Sequence, residues 1–130
     1  MYGRGLIIVI LIVVLAVYYT HNGMHLAHDI TPSLHISVDE ARSRRFGLII
    51  DVRTAEERAQ LGYYPQSIPM DIHDIQKGMS LDISNKNTPI LIYSNGDGRS
   101  KVAADIVYHM GYRSVRYISA TYLSLLPGSS

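Results

Sequence analysis

Three short runs, mostly apolar and rich in β-branched residues, define the hydrophobic pattern of the chain: Leu48 to Val52, Pro89 to Tyr93 and Ser114 to Ile118. The first two are apolar at nearly consecutive positions, which is typical of parallel strands that helices cover on both faces. Segments with helical spacing separate the runs, and the segment from Ser100 to Met110 ends before Gly111, a helix-stop residue. This alternation predicts an α/β fold with a central, mainly parallel sheet flanked by helices.

Capping signals predict where two further helices begin and end. Ser37 with Glu40, and Thr54 with Glu57, have the spacing of a capping box, in which two residues satisfy free N–H groups of the first turn. The second of these helices is expected to stop near Gly62.

The amino-terminal pattern is different, because every residue from Gly5 to Tyr19 is apolar or aromatic. A membrane-spanning helix needs about 20 such residues, or about 17 at the short end, so Tyr2 and the pair Tyr18 and Tyr19 are expected to serve as interfacial anchors, with the Arg4 side chain reaching the interface. We therefore predict a transmembrane anchor over residues 1–20. A cleaved signal peptide is the alternative reading of this length, but no small-x-small cleavage site follows the apolar run.

Basic residues flank the apolar run unevenly. Arg4 and the amino group precede it, whereas residues 20–38 contain no Lys or Arg. By the positive-inside rule, we expect the amino terminus in the cytosol and the remainder of the chain on the non-cytosolic side.

Residues 21–33 read as a polar linker between this anchor and a domain at residues 34–127, followed by a tail at 128–130. The linker carries His21, His25 and His28, whose spacing would place three imidazoles on one helical face. Asn22-Gly23 argues against an unbroken helix there, and no cysteine or carboxylate completes a ligand set. We therefore expect no metal site.

Composition and charge exclude some classes of partner and of chemistry. A net charge of +1 in 130 residues indicates no nucleic-acid partner. Arg42, Arg44 and Arg45 form a local basic patch that is expected to face solvent, anionic lipid headgroups or a protein partner. The chain contains no cysteine, which excludes disulfides and thiol chemistry.

A glycine-rich loop joins the second apolar run to the helix that Ser100 is expected to open. Its glycines permit positive φ angles, so consecutive N–H groups can turn inward, and the helix adds the positive end of its dipole. The loop is therefore a candidate anion cradle, formed by Ser94, Asn95, Gly96, Asp97, Gly98 and Arg99.

This loop resembles the active-site loop of rhodanese-like sulfurtransferase domains. Tyr93-Ser94, four residues and Arg99-Ser100 stand where that family normally has Tyr-Cys, four residues and Arg-Ser. Ser94 therefore occupies the position of the family's cysteine. The resemblance implies that the loop is a vestigial active site.

Two upstream motifs extend the resemblance. Asp51 to Thr54 with Glu57 is similar to the family's Asp-Val-Arg signature, and Gly62 to Ile68 is similar to its Gly-x-Ile-Pro-Gly-Ala/Ser segment. The resemblance covers roughly His35 to Leu126 and implies the three-layer rhodanese-like fold. The resemblance also implies structural support of the loop by Asp51, Arg53 and Ser100.

The departures from the family pattern indicate the function. Sulfur transfer needs a cysteine thiolate that carries sulfur as a persulfide, and a serine hydroxyl has too high a pKa to replace it. A serine nucleophile would need a base, and neither His73 nor His109 belongs to a motif that places it near Ser94. We therefore expect a membrane-anchored, catalytically inactive domain without a cofactor, acting as a protein-binding or scaffolding module.

Two alternatives stay open at this point. One is a structural component of a large membrane-containing assembly such as a virion. The other is an active sulfurtransferase, if Ser94 is an engineered replacement for cysteine. Within the inactive domain, Asp97 is expected to act as an internal anion in the cradle.

Overall fold

The computed structural model describes residues 9–15 and 32–128. The chain divides into two compact units, residues 1–32 and residues 33–130. In the first unit, residues 9–15 are helical and their apolar side chains are exposed. Neither described range contains a helix that is long and apolar enough to cross a membrane. The predicted span extends beyond residues 9–15 at both ends, so most of it, like the linker histidines, lies outside the described residues.

The second unit is built around a four-stranded parallel sheet. Its strands are β1 (Leu48–Asp51), β2 (Ile68–Pro69), β3 (Ile90–Tyr93) and β4 (Val115–Tyr117), in the order β2-β1-β3-β4. The predicted α/β fold with a parallel sheet flanked by helices is therefore confirmed. Three strands lie within the three apolar runs, whereas the two-residue β2 was not predicted.

Four α-helices connect and cover the strands. They are α1 (Val38–Ser43), α2 (Ala55–Leu61), α3 (Ile75–Asp82) and α4 (Arg99–His109), with short 3-10 helices at Ile72–Asp74 and Tyr122–Leu125. Helix α4 begins one residue before the predicted start, with Gly98 as its N-cap, and it ends ahead of Gly111 as expected.

The two predicted capping boxes differ in the structure. At α2, Thr54 and Glu57 make both reciprocal bonds, so this capping box is confirmed. At α1, the Ser37 side chain accepts the Glu40 N–H at 3.1 Å. The Glu40 carboxylate, however, pairs with Arg44 one turn later rather than with the N-cap backbone, so the second half of that prediction is wrong.

Alternation along the central strands divides the interior into two cores. Ile50 and Ile92 point into the larger core with α3 and α4, whereas Leu91 and Tyr93 point into a smaller core under α1. Both faces of β3 are therefore buried, which explains why its sequence is apolar at every position. The carboxyl ends of β1 and β3 lie side by side in register, with Asp51 opposite Tyr93.

Removing residues 1–20 is expected to leave a folded and soluble domain, because the two cores are built from residues between Leu34 and Leu125. Circular dichroism and a cooperative thermal transition of the truncated chain check this expectation. A truncated chain that aggregates or melts without cooperativity would contradict it, and would show that the domain's packing needs the removed segment.

Candidate functional site

The candidate site is the loop between β3 and α4. Ser94 is buried, Asn95 and Arg99 are half-buried, and the tip is exposed. Gly96 adopts a positive φ of 78°, which favours glycine. Gly98 has a φ of −76°, so the positive φ that a glycine permits is used at Gly96 and not at Gly98, which is the N-cap of α4. In the described part of the chain, the N–H groups of residues 95–98 make no hydrogen bonds.

Two carboxylates hold the loop's arginine. Arg99 Nη1 and Nη2 donate to Glu57 Oε1 and Oε2 at 2.6 and 2.7 Å, a bidentate ion pair. On its other side, Arg99 Nη2 donates to Asp97 Oδ2 at 2.8 Å. The Asp97 carboxylate also accepts the Arg99 backbone N–H at 3.0 Å, which closes the loop on itself. The guanidinium therefore already has its anionic partners within the protein.

The electrostatics of this cluster follow from these contacts. Hydrogen bonds from Arg99 lower the pKa of Glu57 to about 2, with a smaller contribution from Thr54 at the helix cap. Arg99 likewise lowers the pKa of Asp97, and the two carboxylates, Glu57 first, raise the pKa of Arg99. All three groups are charged at neutral pH, with two negative charges around one positive charge.

Glu57 connects the loop to α2 as well as to Arg99. Its Oε1 accepts the Thr54 N–H at 3.1 Å in the capping box, while Asn95 Nδ2 donates to its Oε2 at 2.8 Å. The sequence identified this residue only as a helix cap and as part of a family motif. Its contact with Arg99 spans 42 positions of the chain, and no local pattern predicts it.

Beneath the loop lies a buried ion pair. Arg53 donates to both oxygens of Asp51 at 2.9 and 2.8 Å, and its own N–H donates to Asp51 at 3.0 Å. The Arg53 side chain also donates to Asn95 Oδ1 at 3.0 Å and to the Gly62 carbonyl at 2.7 Å. Arg53 therefore fixes the start of the loop and the end of α2 from below.

Three further side chains complete this support. Sequence reasoning did not single out Arg58, and it placed Ser67 and Tyr93 in family motifs without predicting this role. Arg58 Nη1 donates to Asp51 at 3.1 Å and to Ser67 Oγ at 2.9 Å. Tyr93 Oη donates to Asp51 at 3.1 Å and lies 2.9 Å from Ser67 Oγ. Burial acts to raise the pKa of Asp51, but hydrogen bonds from Arg53 and Arg58, with the charge of Arg53, lower it overall. Burial raises the pKa of Tyr93.

Ser94 stands at the end of β3, at the base of the loop. Its hydroxyl is buried and has no hydrogen-bond partner of normal geometry in the described residues, although it lies close enough to Asp97 to help lower that residue's pKa. His109 ends α4, whose first residue is Arg99, so it lies about 15 Å along the helix from the loop. Ser100 is used structurally: its hydroxyl donates to the Ile118 carbonyl at 3.0 Å.

The model of the family described as "Rhodanese-like domain" matches residues 37–123. The chain belongs to this family. The matched range includes the loop, both upstream motifs and the buried network. No curated protein matches the chain in sequence.

Solved structures show the same rhodanese-like fold. A human single-domain sulfurtransferase has a TM-score of 0.60 at 19% identity, over 76% of this chain and 100% of that one. A single-domain sulfurtransferase from Saccharomyces cerevisiae has a TM-score of 0.58 at 14% identity, over 73% and 89%. A thiosulfate sulfurtransferase from Pseudomonas aeruginosa gives 0.58 at 22% identity, over 69% of this chain and 18% of that one.

The structure of this rhodanese-like domain brings the sequence-selected residues into one site. Asp51 and Arg53 lie under the loop, Ser100 ties the start of α4 to the end of β4, and Arg99 faces Glu57. Asp97 was expected to be the internal anion, and it shares this position with Glu57, which makes the closer bidentate contact. In the described residues, no group of His, Cys, Asp or Glu has the arrangement of a metal site.

Alanine substitutions at the two loop glycines are expected to differ. Gly96→Ala places a Cβ on a residue with positive φ, 3.3 Å from the Ser119 carbonyl oxygen, and should destabilise the domain by about 1–2 kcal/mol. Gly98→Ala has nothing within 4 Å of its Cβ and should change stability by less than about 0.5 kcal/mol. Urea denaturation measures both, and equal losses would contradict the loop geometry.

Stability is expected to fall in acid, and Glu57 is expected to cause part of the fall. Its pKa of about 2 in the folded protein is below its ordinary value of 4.5. The stabilisation it provides is therefore complete above about pH 4.5 and is lost as the pH falls towards 2. Glu57→Gln keeps an acceptor for the helix cap but removes the titrating charge.

Denaturant unfolding of the wild type and of Glu57→Gln, measured from pH 6 to pH 2, checks this pH dependence. The two free energies of unfolding should converge as the pH falls. The residual slope of the variant reports Asp51 and Asp97, whose pKa values are also lowered. Parallel curves would mean that the Glu57–Arg99 pair contributes nothing to folding.

Proposed function

We propose that this rhodanese-like domain is inactive in sulfur transfer and acts as a membrane-anchored binding module. The observation that carries the proposal is the serine at position 94, where the family resemblance places the cysteine. The full chain contains no cysteine that could replace it. The neighbours whose names identify them as sulfurtransferases share the fold with this chain at 14 to 22% identity, which leaves the chemistry open.

The chemistry of Ser94 supports inactivity. Transfer of a sulfane sulfur requires a nucleophile that is ionised near neutral pH and can hold the sulfur as a persulfide. A hydroxyl does not ionise near neutral pH without a base, and its oxygen cannot form a persulfide with or without one. Ser94 Oγ makes no hydrogen bond with a histidine or any other residue in the described ranges, and its charged neighbour Asp97 is committed to Arg99.

The state of the loop's arginine supports a binding role away from the cradle. Glu57 and Asp97 neutralise Arg99 and leave one excess negative charge at the loop. An anionic sulfur donor would have to displace at least one of these carboxylates before it could use the guanidinium. The charge of Arg99 is therefore satisfied within the protein. Partners are recognised by the outer surface of the domain and not by the loop.

The membrane part of the proposal rests on the amino-terminal sequence. The run from Gly5 to Tyr19 contains no charged side chain, and residues 9–15 within it are helical with exposed apolar side chains. A helix over the whole run would satisfy its backbone groups internally, as a bilayer requires. The single Arg4 before the run favours the domain on the non-cytosolic side.

The wild-type protein is expected to produce no thiocyanate from thiosulfate and cyanide above a buffer blank, because position 94 supplies no thiolate. An assay with an active sulfurtransferase as the positive control measures this. Turnover by the wild type that a Ser94→Ala variant loses would contradict the proposal, since it would assign catalysis to the serine hydroxyl.

A cysteine placed at position 94 gives a second, independent readout of the loop. In Ser94→Cys the nearby Asp97 carboxylate should keep the thiol pKa high, and the added change Asp97→Asn should lower it. The pH dependence of alkylation measures both values. A thiol pKa that is the same in the two variants would show that Asp97 does not act on position 94.

A further inference from the structure

A cavity of about 520 Å³ lies on the α1 face of the sheet, and none of its lining residues belongs to the 94–99 loop. The apolar and aromatic part of its lining forms the floor and consists of Leu91 and Ile49 from the central strands, Phe46 after α1, and Leu125 from the last 3-10 helix. Tyr64 and Gln66, from the segment between α2 and β2, line another side. We call this cavity the α1 groove.

The groove exists because this face of the sheet has little cover. Helix α1 has six residues and the 3-10 helix at Tyr122–Leu125 has four, whereas α3 and α4 on the opposite face have eight and eleven. As a result, Phe46, Ile49 and Tyr64 remain only partly buried at the edge of the smaller core. A volume of this size is within the range of small-ligand sites.

The rim of the groove is basic. Arg42, Arg44 and Arg45 line it, and no Asp or Glu does. Arg44 pairs with Glu40, while Arg45 makes no hydrogen bond or ion pair within the described ranges and is exposed. An occupant that matches this surface has an anionic group for the guanidinium rim and an apolar part for the floor.

We propose that the α1 groove binds the phosphate-bearing headgroup of an anionic phospholipid. This inference rests on the membrane anchorage in the proposed function. Guanidinium groups bind phosphate oxygens in bidentate geometry, and the apolar floor fits the glycerol and first methylene groups of a lipid. Thirteen linker residues, 21–33, can span at most about 45 Å, which keeps the domain within reach of the bilayer surface. An arginine cluster that the linker can bring to a bilayer surface is attracted electrostatically to anionic lipids in that surface.

The test uses the full chain in lipid nanodiscs, either of phosphatidylcholine alone or with about one third phosphatidylglycerol. Hydrogen–deuterium exchange is followed in peptides covering residues 41–46 and 64–66. The anionic lipid should slow exchange in these peptides by at least about fivefold, the equivalent of one arginine contact at 1 kcal/mol. Exchange in α3 and α4, on the opposite face of the sheet, should not change.

Two variants of equal charge separate the groove from general electrostatics. Arg44→Glu with Arg45→Glu should abolish the lipid-dependent slowing. Lys77→Glu with Lys101→Glu changes net charge equally at exposed positions of α3 and α4 and should preserve it. Arg45→Gln should weaken the slowing without disturbing the Arg44–Glu40 pair of α1. Thermal unfolding of each variant establishes that it is folded.

The outcomes distinguish this inference from the proposed function. Equal exchange in both nanodiscs, or equal loss in both double variants, overturns the lipid site while leaving the anchor and the inactivity intact. Slowing produced by a polyglutamate peptide or by inorganic phosphate in neutral nanodiscs, with no further effect of the anionic lipid, also overturns it. A full chain that fails to float with neutral vesicles overturns the anchor instead.

Discussion

The buried carboxylate of Asp51 is the group on which the site depends. It lies at the end of β1 and accepts hydrogen bonds from Arg53, Arg58 and Tyr93. These donors come from the turn before α2, from α2 itself and from β3, so one carboxylate ties three segments to the same edge of the sheet. Loss of one partner from a buried pair of this kind costs about 3–5 kcal/mol, because the remaining charge stays buried without compensation. The network therefore fixes the loop before any ligand is present.

The network supports a loop whose arginine, Arg99, is already paired with two carboxylates of the protein. Arg53 positions Asn95, Asn95 donates to Glu57, and Glu57 binds Arg99. The arginine of the loop is thus connected through polar contacts to the buried core rather than left free for a substrate. This chain shares its fold with sulfurtransferases. Its loop, however, has a serine at the base and an excess negative charge around Arg99. The α1 face of the same sheet is thinly covered, and the rim of the α1 groove there is positively charged.

The sequence was sufficient where local pattern determines structure. Consecutive apolar residues located β1 and β3, the run from Ser114 to Ile118 located β4, and the Thr54–Glu57 spacing located the start of α2. Sequence reasoning failed where contacts between distant parts of the chain determine the structure. Strand β2 has two residues, too few to show any periodicity, and Arg58 reads as an ordinary surface residue of α2 until its contact with Asp51 is seen. Glu57 was recognised as a cap, but its pairing with Arg99 depends on the sheet bringing the α2 cap and the loop together.

The most direct test of the account is sulfate binding by isothermal titration calorimetry. It compares the wild type with a variant carrying Glu57→Gln and Asp97→Asn, which frees Arg99 while keeping side chains of the same shape. The wild type should show no measurable binding, and the variant should show saturable binding that is abolished by adding Arg99→Gln. Saturable sulfate binding by the wild type, or none by a folded variant, would contradict the claim that Glu57 and Asp97 occupy the arginine of the loop.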